Sequence, residues 1–156
     1  VQHMPQGFTT SFANTLNHVS EIKVKEAEAG DEVKSGQALI VPGDYHLEVE
    51  KKGKSLYTTL HQEPKVNHQR PAVDVTFNSL AEVVGSNTLA VLLTGMGNDG
   101  AQGLRQIKEA GGYTLAQNKE TATIFGMPKK AIEIGAADEV IGLEAVVDKI
   151  VHRLNK

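Results

Sequence analysis

The sequence of 156 residues contains no cysteine. Without thiols the chain can form no disulfide bond, no thiolate nucleophile and no zinc site with cysteine ligands, and it is compatible with a reducing cytoplasm. No apolar run approaches the roughly 20 residues that a membrane-spanning helix needs, and no signal-peptide pattern opens the chain. We therefore expect a cytoplasmic protein that does not insert directly into a membrane.

Neither sign of charge dominates the sequence. It has 16 Lys and Arg against 19 Asp and Glu, a formal net charge of -3 at pH 7. This balance argues against nonspecific binding of nucleic acid. The length is that of one domain with a hydrophobic core of its own. The first residue is Val1 rather than Met, so we expect the chain to begin inside a longer polypeptide.

The most informative stretch is residues 90–100, AVLLTGMGNDG, where an apolar run stops in glycines and a carboxylate. Residues 88–93 show no polar alternation, which predicts a strand buried on both faces in a parallel sheet. Helical spacing begins at Ala101, after glycines that allow a sharp turn. Asn98 and Asp99 are therefore expected at the carboxyl end of a central strand, where open α/β sheets bind their ligands.

The glycine-rich turn has two other interpretations. Gly95, Gly97 and Gly100 match the G-x-G-x-x-G fingerprint of dinucleotide sites, and Glu120 follows at about the required distance of 20 residues. However, Asp99 would then lie inside the phosphate cradle and repel the anion. Alternatively, Asp99 only caps the following helix, for about 1 kcal/mol. A cap, however, does not need so many glycines.

A histidine near the start of the chain is a second candidate for a catalytic residue. His3 precedes a proline and a glycine that end extended structure, so it is expected at the carboxyl end of another strand. Taken alone, it has the simpler interpretation of an ordinary loop histidine. An amphipathic helix is predicted next, from apolar residues at steps of four and three: Phe8, Phe12, Leu16 and Val19.

The middle of the chain changes to short segments of β type. Residues 39–41 predict a buried strand, and residues 47–57 predict a hairpin around a lysine-rich turn at 51–54. Residues 30–39 echo biotinyl and lipoyl carrier domains, but the modified lysine on a hairpin tip is lacking.

A polar stretch, KVNHQRP at residues 65–71, precedes the next predicted helix. His68 and Arg70 could face a substrate or could hydrogen-bond loop carbonyl groups. Pro71 suits the first turn of a helix. The helix is expected to end at Gly85. Its apolar stripe contains Val73, Phe77, Leu80 and Val84.

The last third of the chain alternates strands and helices. Residues 113–117 and 140–141 predict strands, and residues 125–128 predict a tight connection into the segment 129–134. This order implies parallel strands joined by crossovers. A closing helix is predicted over residues 143–154, with Lys149 and Arg153 on its solvated surface. Its apolar face is expected to contain Val146, Val147, Ile150, Val151 and Leu154.

Short motifs then occur in one order along nearly the whole chain: QHMP at 2–5, GF at 7–8, ALIVPGD at 38–44, VNHQRP at 66–71, DV at 74–75, LTGMGNDG at 93–100, AQN at 116–118 and FGMP at 125–128. With these motifs the sequence resembles the catalytic domain of the chemotaxis protein-glutamate methylesterases. The resemblance implies an α/β fold with a doubly wound, mostly parallel sheet, helices on both faces and an antiparallel hairpin.

The function implied by this resemblance is hydrolysis of glutamate methyl esters on bacterial chemotaxis receptors, with deamidation of receptor glutamines in some members. The implied partners are the cytoplasmic domain of a methylated receptor and a receiver domain in the parent protein. Neither a cofactor nor a metal ion is expected.

The resemblance also implies a Ser-His-Asp triad, with His3 as general base, Asp99 as its orienting carboxylate and Met96 near the oxyanion. An imidazole can take the proton of a nucleophile because its pKa lies near the working pH. The carboxylate fixes the tautomer and stabilises the imidazolium.

The nucleophilic serine of that family lies in a turn of the type Gly-x-Ser-x-Gly-Gly upstream of the histidine. The serines of this sequence lack the glycine setting of such a turn: Ser11, Ser20, Ser35, Ser55, Ser79 and Ser86. We therefore expect residues 1–156 to be a single catalytic domain that is incomplete at its N-terminus, without the first βα unit. The alternative is a noncatalytic remnant that binds a receptor or another partner.

Overall fold

The computed structural model describes residues 1–155. The chain divides into two compact units, Val1–Ser79 and a second unit that starts at Leu80. The first unit contains α1 (Phe8–Val19), β1 (Lys23–Glu26), β2 (Gln37–Ile40), β3 (His46–Lys52), β4 (Ser55–His61) and most of α2 (Val73–Val83). The expectation of a single catalytic domain over residues 1–156 stays a prediction.

The second unit contains the glycine-rich turn. Its elements are a 3₁₀ turn (Gly85–Asn87), β5 (Leu89–Leu92), α3 (Ala101–Glu109), β6 (Tyr113–Gln117), α4 (Met127–Glu133), β7 (Glu139–Ile141), a second 3₁₀ turn (Leu143–Ala145) and α5 (Val146–Leu154). The central sequence of strand, glycine turn and helix is thus confirmed as β5, the turn and α3.

The strands form two parallel groups and one hairpin. In the first unit β1 pairs with β2 in parallel, with Lys23 opposite Gln37. β3 and β4 are antiparallel, and Lys52 opposite Ser55 leaves a two-residue turn between them. In the second unit β6 lies between β5 and β7, and all three are parallel. The predicted α/β fold of parallel strands, helices and an antiparallel hairpin is confirmed.

The prediction that β5 is buried on both faces is only half right. Ala90 and Leu92 are buried, whereas Leu89 and Val91 are half-buried. β5 is an edge strand of its three-stranded group, while the central strand β6 is buried from Thr114 onward. An apolar run alone does not distinguish these two positions in a sheet.

Helix α1 is confirmed, but its buried face differs from the predicted one. The fully buried side chains are Thr9 and Ala13, whereas Phe8 is 63% exposed and Val19 is also exposed. Thr9 is buried because its hydroxyl group has partners, as described below. Hydrophobic periodicity cannot register a polar residue that is buried through hydrogen bonds.

The closing helix α5 also differs from its predicted packing. Of its apolar residues only Val146 is buried. The helix is held instead by the side chains expected to be solvated, since Lys149 Nζ lies 2.7 Å from a Glu139 carboxylate oxygen. The Arg153 guanidinium lies 4.2 Å from the centre of the Tyr113 ring. These polar contacts orient the helix, so Val147, Val151 and Leu154 remain exposed and Ile150 is only half-buried.

Candidate active site

His3 lies in a tight turn at the start of the first unit. The Met4 N–H donates to the Gln2 carbonyl over 2.8 Å, which makes His3 the central residue of a three-residue turn. Residues 1–5 contain no strand, so the strand expected ahead of His3 is not found there. The next turn closes when the Phe8 N–H donates to the Pro5 carbonyl over 3.3 Å, and α1 follows. The His3 side chain is half-buried.

The segment that carries His3 rests on the loop after β2. A Cβ atom on Gly43 would lie 2.6 Å from the Pro5 carbonyl oxygen and would also overlap the Gln6 nitrogen. Only glycine allows this approach of two backbones. The Gly43 N–H donates to Thr9 Oγ1 over 3.0 Å, and that hydroxyl donates to a Glu26 carboxylate oxygen over 2.6 Å. One buried hydroxyl therefore links α1, β1 and the loop beneath His3.

The glycine-rich turn of the second unit reverses the chain between β5 and α3. Gly97 and Gly100 have φ angles of 92° and 86°, in the left-handed region that favours glycine. Gly100 is the N-cap of α3, so Asp99 lies one residue outside the helix. The interpretation of Asp99 as a cap of α3 from that position stays a prediction.

The start of this turn is fixed to the loop ahead of α4. Thr94 Oγ1 donates to the Ile124 carbonyl over 3.0 Å and accepts from the Ile124 N–H over 2.8 Å. The Gly95 carbonyl accepts from the N–H groups of Gly126 and Met127, over 3.1 and 2.8 Å. These bonds hold the backbone of residues 94 and 95 on both sides, which is the rigidity that a preorganised site requires.

A side chain from the end of β6 also fixes the turn. Gln117 is 1% exposed. Its Oε1 accepts from the Thr94 N–H over 2.7 Å, and its Nε2 donates to Thr121 Oγ1 over 3.2 Å. A buried amide that uses both ends in this way sets the position of both partners.

The turn directs its two candidate side chains to opposite environments. Asp99 is 2% exposed, whereas Met96 is 79% exposed. A carboxylate at such depth is stable only with a charged or hydrogen-bonding partner. Met96 is held by its backbone rather than by its side chain, because the bonds of Gly95 next to it fix the chain there.

The polar stretch before α2 forms a second tight structure in the first unit. Val66 and Gln69 exchange backbone hydrogen bonds of 3.1 and 2.9 Å. Asn67 and His68 between them both have positive φ, the pattern of a type I′ turn. Asn67 Nδ2 donates to the buried carboxylate of Asp74 over 2.7 Å. The side chain of His68 is exposed at the tip of this turn.

Arg70 hydrogen-bonds loop carbonyl groups, one of the two roles considered for it. Its Nη1 donates to the carbonyls of Gln62 and Glu63, each over 3.1 Å. Its Nη2 and Nε donate to Asp44 Oδ1, over 2.7 and 3.1 Å. This guanidinium holds the pKa of the Asp44 carboxyl below its usual range.

His3 belongs to the first unit, and Asp99 and Met96 to the second. Their roles as base, orienting carboxylate and oxyanion neighbour stay predictions.

Between residues 1 and 155 no three His, Asp or Glu side chains are grouped so that they could hold a metal ion. None of the helices in this range has the length and apolar character of a membrane-spanning segment.

Several positioning side chains were not identified individually from the sequence. Thr9, Asp44 and Gln117 each act through partners more than ten residues away, and no local pattern reveals such a bond. The only sequence signal was that the last two lie within motifs of the resemblance. A buried polar residue that ends an apolar strand, as Gln117 does, would have been a usable cue.

The sequence is similar to a family model and to several known proteins. A family model described as CheB methylesterase matches residues 1–150. The protein-glutamate methylesterase/protein-glutamine glutaminase 2 of Pseudomonas aeruginosa is 49% identical over 152 residues, which cover 97% of this chain and 44% of that protein. The protein-glutamate methylesterase/protein-glutamine glutaminase of Pyrococcus abyssi is 52% identical over 152 residues, which cover 97% of this chain and 41% of that protein.

The fold has a close counterpart among solved structures. The crystal structure of the Thermotoga maritima CheB methylesterase catalytic domain matches with a TM-score of 0.94 and 46% identity, covering 97% of this chain and 80% of that one. The chain spans less than half the length of the two curated relatives. The match of the family model over nearly every residue, together with this fold, shows that the chain belongs to the CheB methylesterase family.

Proposed function

We propose that the chain supplies the base and the carboxylate of a protein-glutamate methylesterase, which hydrolyses glutamate methyl esters on bacterial chemotaxis receptors and deamidates receptor glutamines. The observation that carries this proposal is Asp99, a buried carboxylate in a turn that hydrogen bonds hold in place. The names of the relatives from Pseudomonas aeruginosa and Pyrococcus abyssi support the two reactions.

In this mechanism a serine hydroxyl attacks the carbonyl carbon of the ester while His3 accepts its proton. The tetrahedral intermediate then collapses, and His3 returns the proton to the departing methoxide, which leaves as methanol. Water repeats the two steps and releases the glutamate side chain. With a glutamine substrate the leaving group is ammonia instead.

The role proposed for Asp99 is to accept a hydrogen bond from one nitrogen of His3, at roughly 2.6 to 3.2 Å. A hydrogen bond from an imidazole N–H is compatible with the burial of this carboxylate. It would also hold the other imidazole nitrogen toward the serine. Met96, at the exposed side of the same turn, is proposed to line the site near the oxyanion.

The nucleophile is proposed to lie in a Gly-x-Ser-x-Gly-Gly turn upstream of His3, because the six serines of this sequence lack that setting. The proposal includes a receiver domain in the parent protein, a cytoplasmic location and the receptor cytoplasmic domain as partner. The absence of cysteine is compatible with a reducing cytoplasm.

Release of methanol from a methylated receptor cytoplasmic domain tests this function. The assay compares the 156-residue chain with an extended chain that carries the upstream serine turn. We expect almost no release by the short chain, since loss of the serine costs about 10⁶-fold in the subtilisin triad. The extended chain is expected to be active and to lose activity on His3→Ala or Asp99→Ala. Equal rates for the short and extended chains would show that the nucleophile is a different group.

A noncatalytic remnant that binds a receptor is the competing function. It predicts saturable binding of the receptor domain by the extended chain without methanol release.

Dinucleotide binding at Gly95, Gly97 and Gly100 has less support, because the buried Asp99 adjoins the helix start where phosphate would bind. Titration with NAD, NADP, FAD and ATP is expected to show no saturable binding. Submillimolar affinity that is lost on Gly97→Val would restore this alternative.

A further inference from the structure

Backbone strain outside glycine is concentrated at Asp44, which bonds Arg70, and in the turn just before Arg70. Among residues 1–155, three residues other than glycine have positive φ: Asp44, Asn67 and His68. The Asn67–His68 turn lies two residues before Arg70 along the chain, and Asp44 is hydrogen-bonded to Arg70. Non-glycine residues persist in this region of φ only where the surrounding structure holds them.

Arg70 and Gln62 hold Asp44 from both sides. All three donor nitrogens of the Arg70 guanidinium are used, two on Asp44 Oδ1 and one on the carbonyls of Gln62 and Glu63. Gln62 Nε2 donates to the other carboxylate oxygen over 3.0 Å. The Asp44 N–H also donates to the Arg70 carbonyl over 3.2 Å. Both the side chain and the backbone of Asp44 are therefore fixed to the segment before α2.

The residue before Asp44 is the glycine on which the His3 segment rests. Gly43 meets the Pro5 carbonyl so closely that a methyl group would not fit between them. On its other side its N–H is bonded to the buried Thr9 hydroxyl. A shift of the Gly43–Asp44 backbone would therefore be transmitted to residues 5 and 6, and from there to His3, two residues away.

We propose that Arg70 and Asp44 are positioning residues for the general base: together they hold the turn that supports Pro5 and thereby fix the orientation of His3. This rests on the proposed function of His3. Neither side chain needs to touch the ester in order to act in this way. A displacement of the base by about 1 Å is enough to cost a reaction about 10²-fold.

The variants that test this proposal preserve the local backbone as far as possible. Asp44→Asn keeps the size of the side chain, and asparagine tolerates positive φ. Arg70→Lys keeps the charge but loses the planar fork. The matched control is Asp31→Asn, because Asp31 likewise ties a loop, through Lys25 Nζ at 3.0 Å and the Glu28 N–H at 2.8 Å. No bond of Asp31 in the described chain leads to Pro5 or Gly43.

In the extended chain we expect Asp44→Asn and Arg70→Lys to lower kcat for methylated receptor about 10-fold or more, with KM changed less than about twofold. Asp31→Asn should leave both values within about twofold. A merely structural role would lower the fraction of folded protein without altering the base. We therefore also expect the imidazole resonances of His3, assigned by comparison with His3→Ala, to change their chemical shifts in both variants and not in Asp31→Asn.

Two results would overturn the proposal. One is a kcat for Asp44→Asn close to that of the unaltered protein. The other is a loss of kcat that matches the loss of folded protein while the imidazole resonances of His3 are unchanged. If the unaltered extended chain releases no methanol, the proposed function fails instead. The His3 resonances of the 156-residue chain then still decide whether Asp44 and Arg70 position this side chain.

Discussion

The Gly95 carbonyl oxygen lies 2.6 Å from the point at which a Cβ atom on Gly126 would stand. Gly126→Ala should therefore push the glycine-rich turn away from the loop ahead of α4. We expect a loss of about 1 to 3 kcal/mol in the free energy of unfolding, as for other overpacked sites. Urea denaturation measures that loss, and methanol release by the extended chain should fall with it because Met96 moves.

A suitable control is Gly53→Asn in the hairpin turn. A Cβ on Gly53 meets nothing within 4 Å, and its φ of 63° is one that asparagine tolerates. We expect this variant to change stability by less than about 0.5 kcal/mol and to leave activity unaltered. Equal effects of the two substitutions would mean that the approach of Gly126 to Gly95 is not a constraint.

Gln117→Leu should show that a buried amide fixes the first residue of the same turn. The substitution leaves the Thr94 N–H without its acceptor. Thr94 is an exposed residue, so water replaces part of the lost bond, and we expect a destabilisation of about 0.5 to 1.5 kcal/mol, the net contribution of one hydrogen bond. Thermal unfolding measures this cost. Thr121→Val removes the bond from Gln117 Nε2 at 3.2 Å together with the bonds of the same hydroxyl to Asn118 and Leu143. It leaves the Thr94 N–H bonded to Gln117, so methanol release by the extended chain should fall less for Thr121→Val than for Gln117→Leu. The reverse order would contradict the importance given to Thr94.

The hydrogen-bonded Asp44 carboxylate should make the free energy of unfolding depend on pH in the acid range. Its folded pKa is lowered from the ordinary 3.8, first of all by the hydrogen bond from Arg70. The ionised form is therefore favoured by folding, and its contribution is present above about pH 4 and lost as the pH falls through the folded pKa. The difference in unfolding free energy between the unaltered chain and Asp44→Asn should thus shrink below about pH 4. A difference that stays constant down to about pH 2 would contradict this.

The parts of the fold that the sequence predicted are those with strong local patterns. β6 coincides with the predicted residues 113–117, and the hairpin and the turn before α3 lie where apolar runs meet glycine or lysine. The buried faces of α1 and α5 could not be predicted, because they depend on partners distant in sequence. Thr9 is buried through Glu26, and α5 is oriented through Tyr113 and Glu139.

In the candidate site, too, local sequence patterns revealed some features, whereas contacts between distant residues could not be predicted. A carboxylate among glycines marked the turn of Asp99, since both residue types are visible locally. The bonds that hold that turn join residues 94 and 117 or 95 and 127, and they arise only once β5 and β6 are paired. The bond from Arg70 to Asp44 spans 26 residues in the same way.

The phenol group of Tyr113 should lose its proton only at a pH well above the usual range for tyrosine. Burial comes first among the causes that raise its pKa to about 12, followed by the hydrogen bond to the Glu139 carboxylate. The protonated phenol is thus favoured by folding, and its contribution is present below about pH 10 and lost as the pH rises toward about 12. The phenolate absorbance of the unaltered chain minus that of Tyr113→Phe isolates this group. A midpoint near pH 10 would contradict the burial of the Tyr113 hydroxyl group and its hydrogen bond to Glu139.

Met96 offers a test in which stability and function separate. Its side chain is 79% exposed, so Met96→Ala should change the free energy of unfolding by less than about 0.5 kcal/mol. If the side chain covers the substrate near the oxyanion, its removal should lower kcat/KM of the extended chain about tenfold. That loss equals about 1.4 kcal/mol and is within the range for one apolar side chain.

The control for Met96 is Val147→Ala on α5, which is 66% exposed and lies in the same unit but far along the chain from the glycine-rich turn. It should leave both stability and kcat/KM unaltered. Because neither side chain is packed in the core, a loss of activity confined to Met96→Ala can only come from contact with substrate or with the residues that bind it. Equal activity of the two variants would remove Met96 from the site and leave the turn with Asp99 as its single functional side chain.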